Sequence, residues 1–290
     1  MKPLRVTHGE RVVFPRAQIS KLEVVRGVEL LAPYLFPHID GRPLALVRCP
    51  EGIRGECFFQ KHLRSRPPAG VSTIAAGGDQ HIVVTRIEGI AALAQYGALE
   101  MHSWGARSPR IDRPDQLTLD FDPDPKLAWP RVLEAALAAR TLLEQLGLAA
   151  FVKTTGGKGL HVVTPLRPAR PWSEVKAFAR GLAQTLVGAA PERFTALLSK
   201  DKRRGKIFVD YLRNGEGATA IAPYSLRARE GAPVAIPWAW DVLDAGRDVR
   251  GAVINLRNVG EHLAAAQAAW SDFDAQRRAI TSAMRKTVGL

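Results

Sequence analysis

The sequence contains little cysteine, no long apolar run and too few acidic residues to balance its basic ones. Cysteine occurs only at Cys49 and Cys57, so nothing supports a secreted disulfide framework, and reduced thiols in a cytoplasmic compartment are expected. No stretch approaches about 18 uninterrupted apolar residues, and the charged start MKPLRVTHGERVVF is unlike a signal peptide. We therefore expect neither a membrane-spanning nor an exported protein.

The charge balance favours a polyanionic partner. Lys and Arg together number 41 against 28 Asp and Glu, which gives a formal net charge of +13 over 290 residues. Such an excess favours nucleic acid ahead of acidic metabolites. The rest of the composition, 46% hydrophobic and 24% charged, is that of a folded globular protein and excludes wholesale disorder.

Alternating strand and helix patterns predict an α+β or α/β fold with a mixed sheet. Apolar residues at helical spacing predict helices over about 20–34, 129–146 and 173–187, the last with Ser173 as its N-cap. Strands are predicted for the segments LTLDFD, AAFVKTT, LHVVTPL, KIFVDYL and ATAIAPYSL. The chain shows no internal repeat, so one continuous unit is expected.

Three aspartates in strand-like segments are candidate metal ligands. The period-two alternation of LTLDFD places Asp120 and Asp122 on one face of a strand, roughly 7 Å apart at two strand rises. Asp210 lies in KIFVDYL, where a lone charge among apolar residues is costly without a partner. Three such carboxylates could hold two hard cations for nucleotidyl transfer. The alternative is a solvated strand face, with Asp210 paired to a nearby arginine.

The glycine-rich segment TTGGKGLHVV predicts a tight turn between two strands. Glycines let backbone N–H groups approach an anion closely, and Lys158 adds a positive charge at the same place. Thr155 supplies a hydroxyl, and His161 begins the second strand close to the turn. A P-loop would lead into a helix rather than a strand, so Walker-type binding is disfavoured. The alternative is a plain hairpin with a buried histidine.

Aromatic and basic residues suggest contacts with DNA. Phe58 and Phe59 are adjacent, so on a strand they point to opposite faces, and at most one can lie fully in the core. The other is a candidate platform for base stacking, although both could be core residues. The stretch 200–206 carries five basic residues and one acidic residue. It is either a DNA-contacting loop or an ordinary solvated one.

These motifs occur in an order that resembles one known family. LTLDFDPDP, TTGGKGLHVV, RRGKIFVDYLRN and ATAIAPYSLRAR follow RPLALVRCPEGIRGECFFQKH and LEMHSWGAR. Together they closely resemble the polymerase domain of bacterial ATP-dependent DNA ligase D, a branch of the archaeo-eukaryotic primase superfamily that works in non-homologous end joining. The likeness covers roughly residues 21–240. Thr155 stands where serine is common in the family, which keeps the hydroxyl.

The resemblance implies a primase-like core with an RRM-like sheet and flanking helices, and an N-terminal module packed against it. We expect a single domain over 1–290, with the module at about 1–100, the catalytic core at about 101–260 and a C-terminal helical segment at about 261–290. The implied activity is template-directed addition of ribo- or deoxyribonucleotides to primer 3′ ends at gaps and broken DNA ends. The alternatives are a primase that starts chains de novo and a non-catalytic DNA end-bridging module.

The resemblance also implies roles for individual residues. Two Mn²⁺ or Mg²⁺ ions would be held by the catalytic residues Asp120, Asp122 and Asp210. The incoming NTP or dNTP would be bound by His102, Thr155, Lys158, Gly159, His161, Arg213 and Arg227. DNA would be contacted by Lys21, Phe58, Phe59, Lys61, Arg203, Arg204 and Lys206.

The implied partners are DNA with 5′-phosphorylated gaps or ends and nucleoside triphosphates, with no membrane. A Ku-type end-binding protein and a separate DNA ligase are implied by the resemblance as well, in a bacterial cytoplasm near the nucleoid. The sequence has no K-x-D-G ligase signature. We therefore expect either a stand-alone polymerase or a domain excised from a larger protein.

Overall fold

The computed structural model describes residues 4–63 and 66–290. The amino-terminal part comprises β1 (Val12–Phe14), β2 (Ile19–Ser20), α1 (Lys21–Ile39), β3 (Leu44–Arg48), β4 (Phe58–Gln60), β5 (Val71–Ala76), β6 (Asp79–Val84), α2 (Glu88–Gln95) and β7 (Ala98–Ser103). The central part comprises β8 (Gln116–Pro123), α3 (Trp129–Gln145), β9 (Phe151–Thr154), β10 (Leu160–Pro165), α4 (Trp172–Ala189), β11 (Phe194–Thr195) and β12 (Ile207–Asp210). The remainder comprises β13 (Ala220–Ile221), β14 (Pro237–Trp238), α5 (Trp240–Asp244), α6 (Leu263–Ala269) and α7 (Ser282–Thr287).

The first large sheet has the strand order β13-β7-β3-β6-β5, and β4 pairs with β3 outside that path. Its apolar face packs on α1 and α2 in one core cluster, to which α1 contributes Val25, Leu31 and Leu35. Helix α1 begins with a capping box, in which the Ser20 hydroxyl accepts from the backbone of Glu23 and the Glu23 side chain accepts in return. Because β13 comes from residues 220–221, this sheet joins distant parts of the chain.

The second large sheet has the order β11-β12-β8-β10-β9-β14 and is antiparallel except for the β11–β12 pair. The predicted mixed sheet is therefore confirmed. Leu119 of β8 and Val162 of β10 point to the face covered by α3 and α4, where Phe178 lies in the same core cluster. Since side chains alternate along a strand, the other face of this sheet carries Asp120 and its neighbours.

Two of the local predictions are wrong in detail. Helix α4 begins at Trp172, so Ser173 is not its N-cap. The first helical hydrogen bonds are accepted by the carbonyl of Pro171 instead, from the amides of Glu174 and Val175. The segment predicted as a strand over ATAIAPYSL is a strand only at Ala220–Ile221, with an isolated bridge between Leu226 and Val234. Tyr224 adopts a left-handed backbone conformation with φ of 63°, which interrupts the extended run.

The two cysteines form a disulfide, which corrects the expectation of reduced thiols. Cys49 and Cys57 are joined with their Cα atoms 4.4 Å apart. The reason is local, because β3 and β4 pair antiparallel with Arg48 opposite Phe58. Cys49 directly follows Arg48 and Cys57 directly precedes Phe58, so the hairpin brings the two thiols together.

A buried ion pair joins the segments that lead into the two sheets. Arg42, which precedes β3, is 1% exposed. Its guanidinium donates to both carboxylate oxygens of Asp115 at 2.6 and 2.9 Å. Asp115 lies just before β8. Arg107 and Arg277 approach the same carboxylate at 2.9 and 3.4 Å.

Among the described helices, none is long and apolar enough to cross a membrane.

Candidate active site

A row of polar side chains crosses the second sheet on the face away from α3 and α4. Strand register places Asp210 of β12 opposite Asp120 of β8, Asp120 opposite His161 of β10, and His161 opposite Lys153 of β9. Paired residues on neighbouring strands point to the same face, so these four groups form one line. Asp122 follows two residues after Asp120 on that face. The period-two pattern thus places two carboxylates together, and strand pairing adds the third.

Arginines neutralise this carboxylate cluster. The Arg213 guanidinium contacts Oδ2 of Asp120 at 3.3 Å and Oδ2 of Asp210 at 3.2 Å. Nη1 of Arg203 lies 3.8 Å from Oδ2 of Asp122. The arginine that the alternative interpretation pairs with Asp210 is thus Arg213, and it contacts Asp120 as well. The Asp210 Oδ1 atom also accepts from the amide of Leu212 at 2.8 Å.

The three carboxyl groups have different protonation preferences. Burial would raise the pKa of Asp120, but the charge of His161 and its hydrogen bond, with the charge of Arg213, hold that pKa at about 2. Burial raises the pKa of Asp122, and the negative charge of Asp120 raises it further. Burial likewise raises the pKa of Asp210. Crowded carboxylates of this kind are stabilised in their ionised form by a nearby cation.

The chemistry of the three aspartates suits a hard divalent cation. All three supply oxygen ligands, which Mg²⁺ and Mn²⁺ prefer. Within residues 4–63 and 66–290, however, no three His, Cys, Asp or Glu side chains are grouped closely enough to hold one ion. The shared contacts of Arg213 with Asp120 and Asp210 occupy the place between those two carboxylates. Cation binding at this pair would therefore require the guanidinium to move.

The turn between β9 and β10 needs glycine at two positions. Gly156 has a left-handed φ of 65°, which favours glycine. A Cβ atom on Gly159 would collide with the carbonyl oxygen of Phe121 in β8. The Thr155 hydroxyl donates to the Gly159 carbonyl at 3.1 Å and accepts from the amide of Gly157 at 3.3 Å. The turn is thus held beside the aspartate strand by close backbone packing.

The carboxylate row and the glycine turn open into one cavity of about 310 Å³. All seven residues predicted to bind the nucleotide line this cavity. The full lining is His102, Asp120, Asp122, Thr155, Gly157, Lys158, Gly159, His161, Arg213, Ala220, Ile221, Arg227 and Arg229. Asp210 lies behind this wall, in contact with Arg213. Asp120 and Asp122 thus line the same cavity as the glycine turn, whereas Asp210 does not line it.

The predicted aromatic platform lies at the edge of this cavity. Phe59 is 67% exposed, and its ring centroid is 5.9 Å from that of His102, a cavity residue. Phe58 is partly buried, with the Arg48 guanidinium 5.5 Å from its ring centroid. Neither phenylalanine is a fully buried core residue, so the interpretation that places both in the core is wrong. Lys61 is exposed next to them.

The remaining residues predicted to contact DNA lie outside the cavity wall. Lys21 is the first residue of α1, and its ammonium donates to the Thr7 carbonyl at 2.9 Å. Arg203 packs over the Phe208 ring at 3.6 Å from its centroid, beside Asp122. Arg204 pairs with Asp201 within the 200–206 stretch, whereas Lys206 donates to the Pro191 carbonyl outside it.

Comparison with known proteins identifies the family. Residues 20–270 match the family described as the LigD primase-polymerase domain. The chain belongs to the LigD primase-polymerase family. The fold agrees, because the chain superposes on a polymerase domain from Mycobacterium tuberculosis ligase D in complex with DNA with a TM-score of 0.84. That superposition has 30% sequence identity and covers 96% of this chain and 100% of the other.

Curated relatives of this family are much longer proteins. The chain is 43% identical over 293 residues to the multifunctional non-homologous end joining protein LigD of Pseudomonas aeruginosa. The match covers 99% of this chain and 34% of that protein. The bifunctional LigD of Bacillus subtilis is 30% identical over 82% of this chain and 39% of its own length. The chain thus spans about a third of the curated relatives that it matches.

Three polar residues in or next to this cavity are absent from the sequence predictions. Glu100 contacts His102, Arg227 and the Ala228 amide. Lys153 completes the polar row, and Arg229 lines the cavity. Glu100 lies two residues before His102 in a strand, so period-two alternation places both on one face. Lys153 lies two residues before Thr155 of the turn, so period-two alternation also relates these two positions. Nothing in the sequence sets Arg229 apart from other basic residues.

Lys153 is a source of instability that its replacement should remove. It is 2% exposed, and its ammonium has no hydrogen-bond partner among the described residues. Burial, with the charge of Arg227, lowers its pKa from 10.5 to about 7. We predict that Lys153→Met raises the free energy of unfolding at pH 7 by about 1 to 4 kcal/mol, because a buried charge is replaced by an apolar chain of similar length.

The size of this effect depends on pH. Between pH 7 and 10.5 the unfolded chain still holds the Lys153 proton that the folded chain has lost, so the stability of the native chain rises with pH. Urea unfolding of both chains at pH 7 and pH 10 should show the advantage of Lys153→Met shrinking at the higher pH. A variant less stable than the native chain at pH 7, with a pH-independent difference, would contradict the account.

Gly159→Ala should damage both the fold and the site. The added methyl meets the Phe121 carbonyl oxygen, so β8 and the turn must move apart. We expect a loss of about 1 to 3 kcal/mol in the free energy of unfolding and weaker nucleotide binding. Gly188→Ala is the matched control, because Gly188 is an exposed position of helix α4 where a Cβ meets nothing within 4 Å. It should gain about 0.5 to 1 kcal/mol, and equal stabilities would refute the packing argument.

Proposed function

We propose that this chain adds nucleotides to primer 3′ ends at gaps and broken DNA ends, as the polymerase of a non-homologous end joining system. Membership of the LigD primase-polymerase family places it among primase-like nucleotidyltransferases. The observation that carries the proposal is the single cavity in which Asp120, Asp122 and the glycine turn meet. A triphosphate and acidic metal ligands need such a shared cleft.

The chain's own residues bind and orient the incoming NTP or dNTP. The positive side chains of Lys158, Arg227 and Arg229 surround the turn and would neutralise the triphosphate. The turn itself offers backbone N–H groups at a place that glycine leaves open. His161 lies between this turn and Asp120, with Nε2 3.5 Å from Oδ2. It therefore joins the phosphate and carboxylate sides of the cavity.

We further propose that Asp120, Asp122 and Asp210 hold two divalent ions, Mn²⁺ or Mg²⁺. The family is metal-dependent, and the carboxylates of this chain supply the oxygen ligands such ions need. When bound, the ions would activate the primer hydroxyl and stabilise the departing pyrophosphate. The carboxylates also fix where the 3′ end must lie, because the hydroxyl has to approach the nucleotide from the aspartate side of the cavity.

DNA would lie along the edge that carries Phe59. Its exposed ring next to His102 offers a stacking surface for the template near the primer terminus. Lys61 and Lys21 would contact the DNA backbone, including a 5′-phosphate, and the basic 200–206 stretch would contact the DNA end. A structural relative is in complex with DNA. A Ku-type protein and a DNA ligase are proposed as partners because the longer relatives are end joining proteins.

Primer extension on a gapped duplex with a 5′-phosphate tests the proposal. With Mn²⁺ or Mg²⁺ present, the labelled primer should lengthen by nucleotides complementary to the template, and comparison of NTPs with dNTPs gives the sugar preference. Dinucleotides made on an unprimed single strand would instead favour a de novo primase. Salt-sensitive DNA binding without any product, with or without metal, would favour the end-bridging alternative.

A further inference from the structure

Glu100 uses both of its carboxylate oxygens inside the wall of the nucleotide cavity. It lies in β7 and is buried. Its Oε2 atom is 2.7 Å from Nε2 of His102. Its Oε1 atom forms an ion pair with Nε of Arg227 at 3.0 Å and accepts from the amide of Ala228 at 2.9 Å. One carboxylate therefore contacts two side chains that line the cavity.

The contacts of Glu100 extend to the glycine turn. Nη1 of Arg227 donates to the Thr155 carbonyl at 2.7 Å. A Cβ atom on Gly156 would lie 2.7 Å from Cγ of Arg227, so the turn leaves room for the arginine stem only because that residue is glycine. Through Arg227, the position of Glu100 is thus coupled to the backbone of the turn. Glu100 of β7 therefore contacts residues 227–228 directly, and Arg227 extends this connection to the turn.

The ionisation of Glu100 determines which nitrogen of His102 carries the proton. Burial alone would raise the pKa of Glu100, but the His102 hydrogen bond and the Arg227 charge lower it to about 2. Glu100 is therefore a carboxylate at neutral pH and can only accept hydrogen bonds. Its partner Nε2 must then be the protonated nitrogen, which leaves Nδ1 of a neutral His102 as an acceptor. Burial lowers the pKa of His102, which favours this neutral form.

We propose that Glu100 is a positioning residue for the incoming nucleotide, which fixes the tautomer of His102 and the direction of Arg227 before the triphosphate enters. This inference rests on the proposed function, since it assumes that the cavity binds a nucleoside triphosphate. Groups held in place beforehand bind a ligand with less loss of side-chain freedom. Removal of Glu100 should therefore raise the KM for nucleotide more than it lowers kcat.

The test compares Glu100→Gln and Glu100→Ala with the native chain and with Glu88→Gln. Glu88 is a partly exposed control that pairs with Arg86 at 3.2 Å. Gln keeps an acceptor for His102 but has no charge for Arg227, whereas Ala removes both. Nucleotide affinity is measured by titration with a non-hydrolysable triphosphate, and KM and kcat by primer extension. The His102 tautomer is measured from ¹⁵N chemical shifts of the imidazole nitrogens, assigned with a His102→Gln spectrum.

We expect the native spectrum to show the proton on Nε2, and Glu100→Ala to show a mixture of tautomers. Nucleotide affinity and KM should weaken by about 10- to 100-fold, the range found when the partner of a metal-bound histidine is removed, while Glu88→Gln stays native-like. A proton on Nδ1 in the native chain would overturn the inference without any variant. Native-like nucleotide binding by Glu100→Gln and Glu100→Ala would overturn it too, whereas a native chain that binds no nucleotide overturns the proposed function as well.

Discussion

Asp120→Asn and Asp210→Asn should each lower nucleotide addition by on the order of 10³-fold or more while DNA binding stays within about twofold of the native chain. Both changes keep the shape of the side chain and remove one oxygen charge. A metal ion contributes several kcal/mol of transition-state stabilisation, and each 1.4 kcal/mol is tenfold in rate. Because Arg213 contacts both carboxylates, loss of one charge leaves its positive charge available to DNA, so binding should not weaken.

Asp124→Asn is the matched control for these variants. Asp124 follows the same strand but lies outside the polar row, where it accepts from the amides of Lys126 and Gly205. It should retain activity within about threefold, since exposed polar changes of this kind have small effects. Primer extension under single-turnover conditions measures the rates, and fluorescence anisotropy measures DNA binding. Native-like activity in Asp120→Asn or Asp210→Asn would remove the catalytic assignment of that residue.

Asp115→Ala should destabilise the fold by about 3 to 5 kcal/mol, the cost of leaving a buried charge without its partner. The carboxylate accepts two hydrogen bonds from Arg42, which is 1% exposed and cannot reach water. Arg107 and Arg277 would also lose their shared contact. Since Arg42 precedes β3 and Asp115 precedes β8, the damage should spread to both sheets and to the cavity between them.

Asp112→Ala controls for loss of an aspartate in the same loop. Its side chain is 67% exposed and pairs with Arg113 at 3.2 Å, so its removal should cost no more than about 1 kcal/mol. Urea denaturation followed by circular dichroism gives both free energies of unfolding. If the two variants lose equal stability, the buried pair does not tie the sheets together as described.

The sequence predicts much of the site because its signals are local. Period-two alternation places Asp120 and Asp122 on one face, and the glycines mark the turn that their backbone conformations require. The fold class and the three longest helices, α1, α3 and α4, also follow from local periodicity. What the pattern could not supply is register, because Asp210 meets Asp120 only through the pairing of β12 with β8.

The features that escaped prediction depend on strand pairing and tertiary contacts. The role of Glu100 depends on its ion pair with Arg227, which the pairing of β13 with β7 brings near it. The Cys49–Cys57 disulfide depends on a hairpin whose register the cysteine spacing alone does not reveal. The contact of Arg213 with two carboxylates likewise needs the tertiary fold. Local sequence therefore predicts which groups are present, whereas the tertiary structure determines which groups meet.

Manganese binding tests most directly whether the aspartates and the glycine turn form one site. Electron paramagnetic resonance of free Mn²⁺, titrated with the chain in the presence of a non-hydrolysable triphosphate, counts the bound ions. We predict two ions per native chain, weaker binding without the triphosphate, and loss of binding in Asp210→Asn but not in Asp124→Asn. Equal Mn²⁺ binding by the native chain and Asp210→Asn, with no effect of the triphosphate, would contradict the account.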